Sequence, residues 1–169
     1  GLLLDPYFSA SKVRWLLDND PAVSGAAARG TLALGTIESW LVWNLTGGAH
    51  LTDASNASRT QLLGLTGAGW DEGLCELFGV PRAALGQIVD TQGAHASTAP
   101  GLFGTAIPIT GMAGDQQAAT IGQNCLAPGT GKATFGTGAF VLASTGSAVP
   151  RSGNRLLGTI LRQQDGART

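Results

Sequence analysis

The stretch 107–119 constrains the fold most, because it places a carboxylate between an apolar run and a helix-forming segment. Residues 107–113 predict a buried strand, and residues 116–125 predict the helix that follows it. Asp115 lies between the two, directly after Gly114. A carboxylate at that point is held rigidly and faces the positive end of the helix dipole, which favours its ionised form. Such a group can take a proton from an alcohol, although a Gly-Asp pair at a strand end is also typical of a turn with a helix cap.

A second motif, Gly136-Thr137-Gly138, follows Asp115 closely in the chain. Its backbone N–H groups could cradle a phosphate, although the same sequence is common in a plain hairpin turn. It joins two short apolar runs at 133–135 and 139–143, which predicts a β-hairpin. A base and a phosphate-binding turn together suggest phosphoryl transfer to a hydroxyl, since nucleotide kinases commonly bind their substrates between two lobes.

Composition narrows the classes of protein. The chain has 169 residues, a formal charge of −1, 12% charged residues and 26 glycines, which predicts a turn-rich α/β protein. No cluster of Lys and Arg is present, so neither nucleic acid nor a membrane surface is an expected partner. No apolar run approaches the ~20 residues of a membrane span. We therefore expect a cytoplasmic protein.

The cysteines and histidines give no sign of a metal site. Cys75 and Cys125 each stand alone, so we interpret them as free thiols in a reducing compartment. His50 and His95 lie in polar segments, far apart in the chain and without ligand-like neighbours. We expect both imidazoles to be solvated.

Three helices are predicted in the first half of the chain. The first has Ser9 as its N-cap and stops at 18–21. The second begins at Thr36, ends at Gly47-Gly48, and carries an apolar stripe with Trp40 and Trp43 that we expect in the core. The third spans 70–78, with Leu74, Leu77 and Phe78 facing inward.

Other segments are predicted to be irregular or extended. Residues 51–60 are polar and turn-prone, and Arg59 within them is expected to pair with a carboxylate rather than to meet an anion. Residues 92–105 predict a surface loop, because small and polar residues surround Pro100 and Gly101. Residues 154–161 predict a strand after the hairpin.

Five ordered segments share the motifs of a known family. They are 7–19 (beginning Tyr-Phe-Ser), 35–48, 52–60, 113–119 (Ala-Gly-Asp-Gln-Gln-Ala-Ala) and 135–140 (Phe-Gly-Thr-Gly-Ala-Phe). In order and spacing they resemble the FGGY family of carbohydrate kinases, in the form found in its glycerol kinases. The resemblance implies ATP-dependent phosphorylation of glycerol to sn-glycerol 3-phosphate, with Mg²⁺ offsetting the phosphate charge.

The resemblance also implies roles at matching positions. Asp115 would be the general base, and Tyr7 and Gln116 would hydrogen-bond the glycerol hydroxyls. Phe140 would pack against the carbon backbone of glycerol. The nucleotide phosphates would contact the turn made by Gly136, Thr137 and Gly138. No residue of the chain is expected to form a metal site of its own.

The implied fold is α/β, as part of two actin-like, ribonuclease H-like ATPase domains. Residues 1–123 would be the C-terminal part of the first domain, 124–131 a connection rich in Pro and Gly, and 132–169 the N-terminal hairpin part of the second. Family members are much longer, so we expect an internal fragment that is inactive in isolation, from a parent that is a homo-oligomer. The alternatives are an FGGY kinase acting on a pentose or another polyol, and a non-catalytic actin-like fragment.

Overall fold

The computed structural model describes residues 2–169 as a mixed α/β chain whose helices are short. The α-helices are α1 Ser9–Asn19, α2 Pro21–Ala28, α3 Ile37–Thr46, α4 Ala54–Ala57, α5 Glu72–Phe78, α6 Pro100–Phe103 and α7 Asp115–Gly122, with a 3₁₀ turn at Arg82–Ala84. The strands are β1 Leu51–Asp53, β2 Gln87–Val89, β3 Gln92–Ser97, β4 Pro108–Gly111, β5 Gly131–Phe135, β6 Ala139–Ala143, β7 Gln163–Gln164 and β8 Ala167–Arg168. Across residues 2–169, none of these helices combines the length and the hydrophobicity that a membrane crossing needs.

The strands of the described chain pair two by two. β1 and β2 are parallel, and a separate parallel bridge joins Leu34 to Leu85. β3 and β4 are antiparallel with a register shift between Gln92 and Ala96, and β7 and β8 close the chain as a short antiparallel pair. β5 and β6 form the predicted hairpin, with Phe135 opposite Ala139 on either side of the Gly-Thr-Gly turn. The hairpin prediction is confirmed.

The region 18–21 both ends one helix and begins another. α1 ends at Asn19 as predicted, but the Asp20 carboxylate accepts hydrogen bonds from Ala22 N at 2.8 Å and Val23 N at 3.3 Å, and Pro21 opens α2. An Asp cap followed by Pro in the first helical position is a start signal that the sequence interpretation took only as a stop. The cap predicted at Ser9 is wrong as well, because Phe8 is the N-cap and no side chain bonds there.

The predicted bounds of α3 are confirmed, but the predicted burial of its aromatic residues is wrong. Gly47 ends the helix in the left-handed conformation, with φ 77°. Trp40 is 60% exposed and Trp43 is 44% exposed, whereas Ser39 and Val42 are the buried residues of the helix. The apolar stripe of α3 therefore lies outside the core of the described chain.

α5 differs from its prediction in its start and its orientation. The helix begins at Glu72, and the Asp71 carboxylate accepts a hydrogen bond from Leu74 N at 2.9 Å as its cap. Leu77 is 74% exposed, so its predicted inward position is wrong, and Cys75 is the buried residue instead. Gly79 ends the helix as predicted.

Two segments after residue 90 have a different structure from the one expected. Residues 92–105 are not a loop, because they contain β3 and α6. β3 pairs with β4 through backbone hydrogen bonds, which form without apolar side chains, so the polar sequence gave no sign of a strand. Residues 154–161 are not a strand; Ile160 and Leu161 are buried, but this segment pairs with no strand of the described chain. β4 itself is shorter than predicted, and most of its residues are exposed rather than buried.

The main hydrophobic core lies where α1, α4 and α5 meet the segment before Trp70. It contains Ala10, Leu62, Leu63, Trp70, Cys75, Val80, Leu85 and Ile160. The Trp70 indole donates to Gly86 O at 2.8 Å, so its polar edge is satisfied inside the core. A smaller cluster of Val42, Leu51 and Met112 joins α3 to β1 and to the segment that leads into α7.

Candidate functional site

A groove of about 1980 Å³ runs between α3, the start of α7 and the β5–β6 hairpin. Four of the seven residues to which the family resemblance assigns a role line it, namely Tyr7, Asp115, Gln116 and Phe140. The residues of the Gly136–Thr137–Gly138 turn are not among those that line it. The groove thus brings together the positions matched to the acceptor substrate. The turn matched to the nucleotide directly precedes Ala139 and Phe140, which line the groove.

Asp115 is exposed and is the first residue of α7, which starts one residue earlier than predicted. Its N-cap is Gly114, so the carboxylate lies in the first turn, where the helix dipole favours negative charge. The Gln116 amide donates from Nε2 to Asp115 Oδ2 at 3.0 Å. The second carboxylate oxygen of Asp115 remains available to a group in the groove.

A buried polar network fixes the backbone immediately before Asp115. Gly114 N donates to Ser55 Oγ at 2.8 Å, and Ser55 Oγ donates to Asp53 Oδ1 at 2.8 Å. Asp53 and Ser55 are both 0% exposed. The Asp53 carboxylate also accepts from Ser55 N and Asn56 N as the cap of α4, and from the Thr91 hydroxyl at 3.2 Å. Because this fully buried carboxylate is satisfied on all sides, it is a rigid support for the start of α7.

A larger residue at Gly114 would displace the Gln117 side chain. A Cβ at Gly114 would lie 2.5 Å from Gln117 Oε1, which is closer than real Cβ atoms approach. Gln117 is itself buried and donates to Thr159 Oγ1 at 3.0 Å, and Thr159 in turn shares a hydrogen bond with Ser58. The glycine before the aspartate therefore leaves room for the Gln117 side chain, whose amide joins α7 to the C-terminal segment.

Lys132 connects the hairpin to α7, and sequence reasoning missed it. It lies on β5 and is 4% exposed. Its ammonium donates to Gln116 Oε1 at 2.5 Å and to Thr134 Oγ1 at 2.6 Å. The available signal was a lone lysine in an otherwise uncharged strand, three residues before Phe135.

The Gly136–Thr137–Gly138 turn is exposed. Gly136 N donates to Gly138 O at 2.9 Å, so that N–H serves the turn itself. Neither glycine has a left-handed φ, and a Cβ would meet only ordinary contacts, the nearest at 3.9 Å for Gly136 and at 3.6 Å for Gly138. Neither the backbone conformation nor crowding within the described chain requires glycine at these two positions.

Arg59 does not pair with a carboxylate in the described chain, so that prediction is wrong. Its guanidinium lies over the Phe8 ring, 5.0 Å from the centroid, and the residue lines the groove. Burial lowers the pKa of Arg59, and the neighbouring Tyr7 side chain opposes that shift. Tyr7 is 62% exposed and packs edge-on against Phe8 at 5.2 Å.

Glu38 on α3 also lines the groove, and the pKa of its carboxyl group is strongly raised. Its Oε2 accepts hydrogen bonds from Asp53 N at 2.9 Å and from Thr52 Oγ1 at 3.1 Å. Burial, and then the negative charge of Asp53, raise its pKa from 4.5 to about 7, while these hydrogen bonds act in the opposite direction. Glu38 was not singled out in the sequence, where it is one acid in an apolar helix.

The prediction that both histidines are solvated is wrong. His50 is half-buried, its Nε2 lies 2.9 Å from Leu34 O, and its ring packs edge-on against Trp43 at 5.8 Å. His95 is also half-buried, on β3. Between residues 2 and 169, no three His, Cys, Asp or Glu side chains lie close enough together to hold a metal ion.

The N-terminal domain profile of the FGGY family of carbohydrate kinases matches residues 1–122, which is most of the chain. The chain belongs to this family. It is 51% identical to the glycerol kinase of Rhodopseudomonas palustris, and the alignment covers 100% of the chain and 34% of that protein. It is 53% identical to the glycerol kinase of Deinococcus radiodurans with the same coverage. The chain therefore spans about a third of the length of these curated relatives.

Solved structures agree with this assignment. The crystal structure of Plasmodium falciparum glycerol kinase with ADP superposes with a TM-score of 0.95 at 36% identity, over 99% of this chain and 34% of that one. A xylulose kinase from Brucella ovis has a TM-score of 0.73 at 23% identity, over 84% of this chain and 29% of that one, which shows the fold alone. The FGGY chain thus has the predicted α/β fold, part of the actin-like, ribonuclease H-like ATPase architecture.

Proposed function

We propose that this FGGY chain carries part of the active site of an ATP-dependent glycerol kinase, which phosphorylates glycerol to sn-glycerol 3-phosphate. The observation that carries the proposal is the identity of 51–53% to glycerol kinases over the whole chain. The site geometry supports it, because an exposed carboxylate stands on a rigid helix start in a groove large enough for two substrates. Phosphoryl transfer depends on such positioning more than on covalent chemistry by the protein.

In the proposed reaction, Asp115 is the general base. The terminal hydroxyl oxygen of glycerol attacks the γ-phosphorus of ATP, the bond between that phosphorus and the β,γ-bridging oxygen breaks, and ADP leaves. The hydroxyl proton passes to the Asp115 carboxylate. Gln116 and Tyr7 hydrogen-bond the glycerol hydroxyls, and Phe140 packs against its carbon atoms. All four side chains line the same groove.

The Gly136–Thr137–Gly138 turn would receive the nucleotide phosphates. Within the described chain, neither backbone conformation nor crowding explains why these two positions are glycine. Close approach of a ligand is a further reason for so small a residue, and it supports the proposal. Since Gly136 N–H is used inside the turn, the Thr137 hydroxyl and the remaining N–H groups are the proposed donors.

Magnesium would arrive with the nucleotide. Mg²⁺ in kinases is bound by phosphate oxygens and water with only one or two carboxylates. The ion would offset the phosphate charge. In the same proposal, residues 1–123 belong to the first domain, 124–131 connect, and 132–169 begin the second, in a cytoplasmic homo-oligomer.

The proposed base is tested in a chimera in which residues 1–169 replace the aligned segment of the Rhodopseudomonas palustris glycerol kinase. We expect Asp115→Asn to reduce kcat by far more than tenfold, because the proton loses its acceptor. Asp165→Asn is the matched control, since Asp165 is exposed with φ 50° and its side chain makes no hydrogen bond. Loss of less than about tenfold, or about 1.4 kcal/mol of barrier, in the Asp115 variant would refute the assigned base.

Substrate class is tested with a panel of polyols and pentoses offered to the unmodified chimera with labelled ATP. Preference for glycerol supports the proposal, and preference for a sugar would replace it with another FGGY kinase activity. The isolated 169-residue chain is expected to show no glycerol-dependent ATP consumption, since it spans only 34% of its relatives' length. Measurable turnover by the isolated chain would contradict that expectation.

A further inference from the structure

The buried ammonium of Lys132 has neutral partners only. Of the ion pairs in the described residues 2–169, one joins Arg14 to Asp18 and the other Arg82 to Glu72, so neither involves Lys132. Its two acceptors are the Gln116 amide oxygen and the Thr134 hydroxyl. Burying a charge without an opposite charge is costly. An apolar side chain would fill this position, which is 4% exposed, as well as a lysine does. Packing therefore does not explain why the residue is a lysine.

The chemistry of the ammonium group determines the orientation of the Gln116 amide. An ammonium has three N–H donors and no acceptor, so only the oxygen of the amide can face it. The Gln116 amide nitrogen is then turned towards Asp115, and its Nε2 donates to Asp115 Oδ2 at 3.0 Å. Without Lys132, the two ends of the amide could exchange places, and a carbonyl oxygen would face the carboxylate.

We infer that Lys132 is a positioning residue for the acceptor substrate: it holds the Gln116 amide with its N–H groups towards Asp115 and the groove, so that Gln116 acts there as a hydrogen-bond donor. The inference rests on the proposed function, because it concerns the acceptor hydroxyls that Gln116 is proposed to bind. A donor at this point stabilises the hydroxyl oxygen, and it keeps the Asp115 carboxylate oriented for the proton.

Lys132 acts through Gln116 and not on the phosphates. Gln116 lines the groove, whereas Lys132 does not, and two of its three donors are taken by Gln116 and Thr134. Lys132 also lies on β5, within the hairpin, while Gln116 lies on α7. The orientation of the acceptor-binding amide is thus coupled to the position of the hairpin whose turn is proposed to receive the nucleotide.

The inference is tested by steady-state kinetics of the chimera defined above. Lys132→Met keeps the length of the side chain and removes the donors, and we expect the KM for glycerol to rise about tenfold, with the KM for ATP unchanged within about twofold. Arg29→Met is the control for loss of one positive charge, since Arg29 is exposed at the end of α2 and does not line the groove. Lys132→Arg keeps the donors and is expected to recover most of the affinity for glycerol.

A double-mutant cycle distinguishes action through Gln116 from a phosphate contact and from a purely structural role of Lys132. If Lys132 acts through Gln116, then Lys132→Met changes the KM for glycerol less than twofold in the Gln116→Ala background. If Lys132→Met raises the KM for ATP, and raises it by the same factor in the Gln116→Ala background, the inference would be overturned in favour of a phosphate contact. A lowered melting temperature with both KM values unchanged would overturn it in favour of a purely structural lysine.

Gln116→Glu keeps the inference testable if Lys132→Met does not fold. Its carboxylate still accepts from Lys132 and preserves the packing, but it has no N–H group for Asp115 or a hydroxyl. We expect the KM for glycerol to rise about as much as in Gln116→Ala, and an unchanged KM would refute the donor role. If the unmodified chimera prefers another polyol, the proposed function fails, and the same comparison made with that polyol still decides the role of Lys132.

Discussion

The carboxyl group of Glu38 should make stability depend on pH in a direction that one substitution can isolate. Burial and the nearby charge of Asp53 raise its pKa from 4.5 to about 7 in the folded protein. Because the folded pKa lies above the unfolded one, the folded state binds more protons between these values. The neutral carboxyl therefore contributes stability that is complete below about pH 4.5 and is lost as the pH rises through about 7.

The size of the effect follows from the same values. A rise from 4.5 to about 7 corresponds to about 3 kcal/mol of preference for the neutral form. Between about pH 5 and about pH 8, linkage converts this preference into a loss of about 2–3 kcal/mol of unfolding free energy. Glu38→Gln carries no charge at any pH, and its amide oxygen can still accept from Asp53 N and the Thr52 hydroxyl. We expect the variant to match the original chain near pH 5 and to be more stable by about 2 kcal/mol near pH 8.

The assay is urea unfolding of the original chain and of Glu38→Gln at several pH values in that range. The difference between the two unfolding free energies cancels every titrating group that they share. Glu76→Gln is the matched control, because Glu76 is an exposed acid on α5, and its curve should run parallel to that of the original chain. Parallel curves for Glu38→Gln as well would show that the Glu38 pKa is not raised, and the reasoning would fail.

Three further predictions concern stability and can be checked by thermal or urea unfolding. Ser55→Ala leaves Gly114 N without its acceptor in a buried site and should cost about 1–3 kcal/mol. Trp70→Ala should cost about 3–5 kcal/mol, whereas Trp40→Ala should change stability by less than about 1 kcal/mol, because only Trp70 is in the core. Gly79→Ala should cost at least about 1 kcal/mol, since a φ of 63° is a left-handed conformation that alanine rarely adopts. Equal losses at the two tryptophans would contradict the assignment of the core.

Local signals in the sequence predicted those elements whose ends carry a specific residue. α3 ends at Gly47 in the left-handed conformation, and the hairpin turns at residues 136–138, as the glycines indicated. The Asp20-Pro21 pair held an equally good signal for α2, but it was interpreted only as a stop. Element ends were predictable because they depend on the conformational preferences of one or two residues.

Burial was harder to predict, because it depends on what the rest of the fold supplies. The stripe of α3 is apolar but exposed, whereas the polar segment 51–60 is among the most buried parts of the chain. Hydrophobic periodicity cannot detect a buried Asp53, since its burial is made possible by donors from Ser55, Asn56 and Thr91 rather than by apolar neighbours. The family motifs located Asp115 and Gln116, but they gave no sign of the side chains that hold them in place.

The two supports of α7 should have separable consequences for the proposed reaction. Ser55 holds the backbone at Gly114 from the side of α4, and Lys132 holds the Gln116 side chain from the side of the hairpin. A movement of the hairpin relative to α7 would change the second contact and leave the first intact. On this inference, the Asp115 backbone is held independently of the hairpin, whereas the orientation of the Gln116 donor beside its carboxylate depends on the contact with Lys132. Variants at Ser55 should then act mainly on stability, and variants at Lys132 mainly on binding of the acceptor, although both side chains lie one hydrogen bond from the first turn of the same helix.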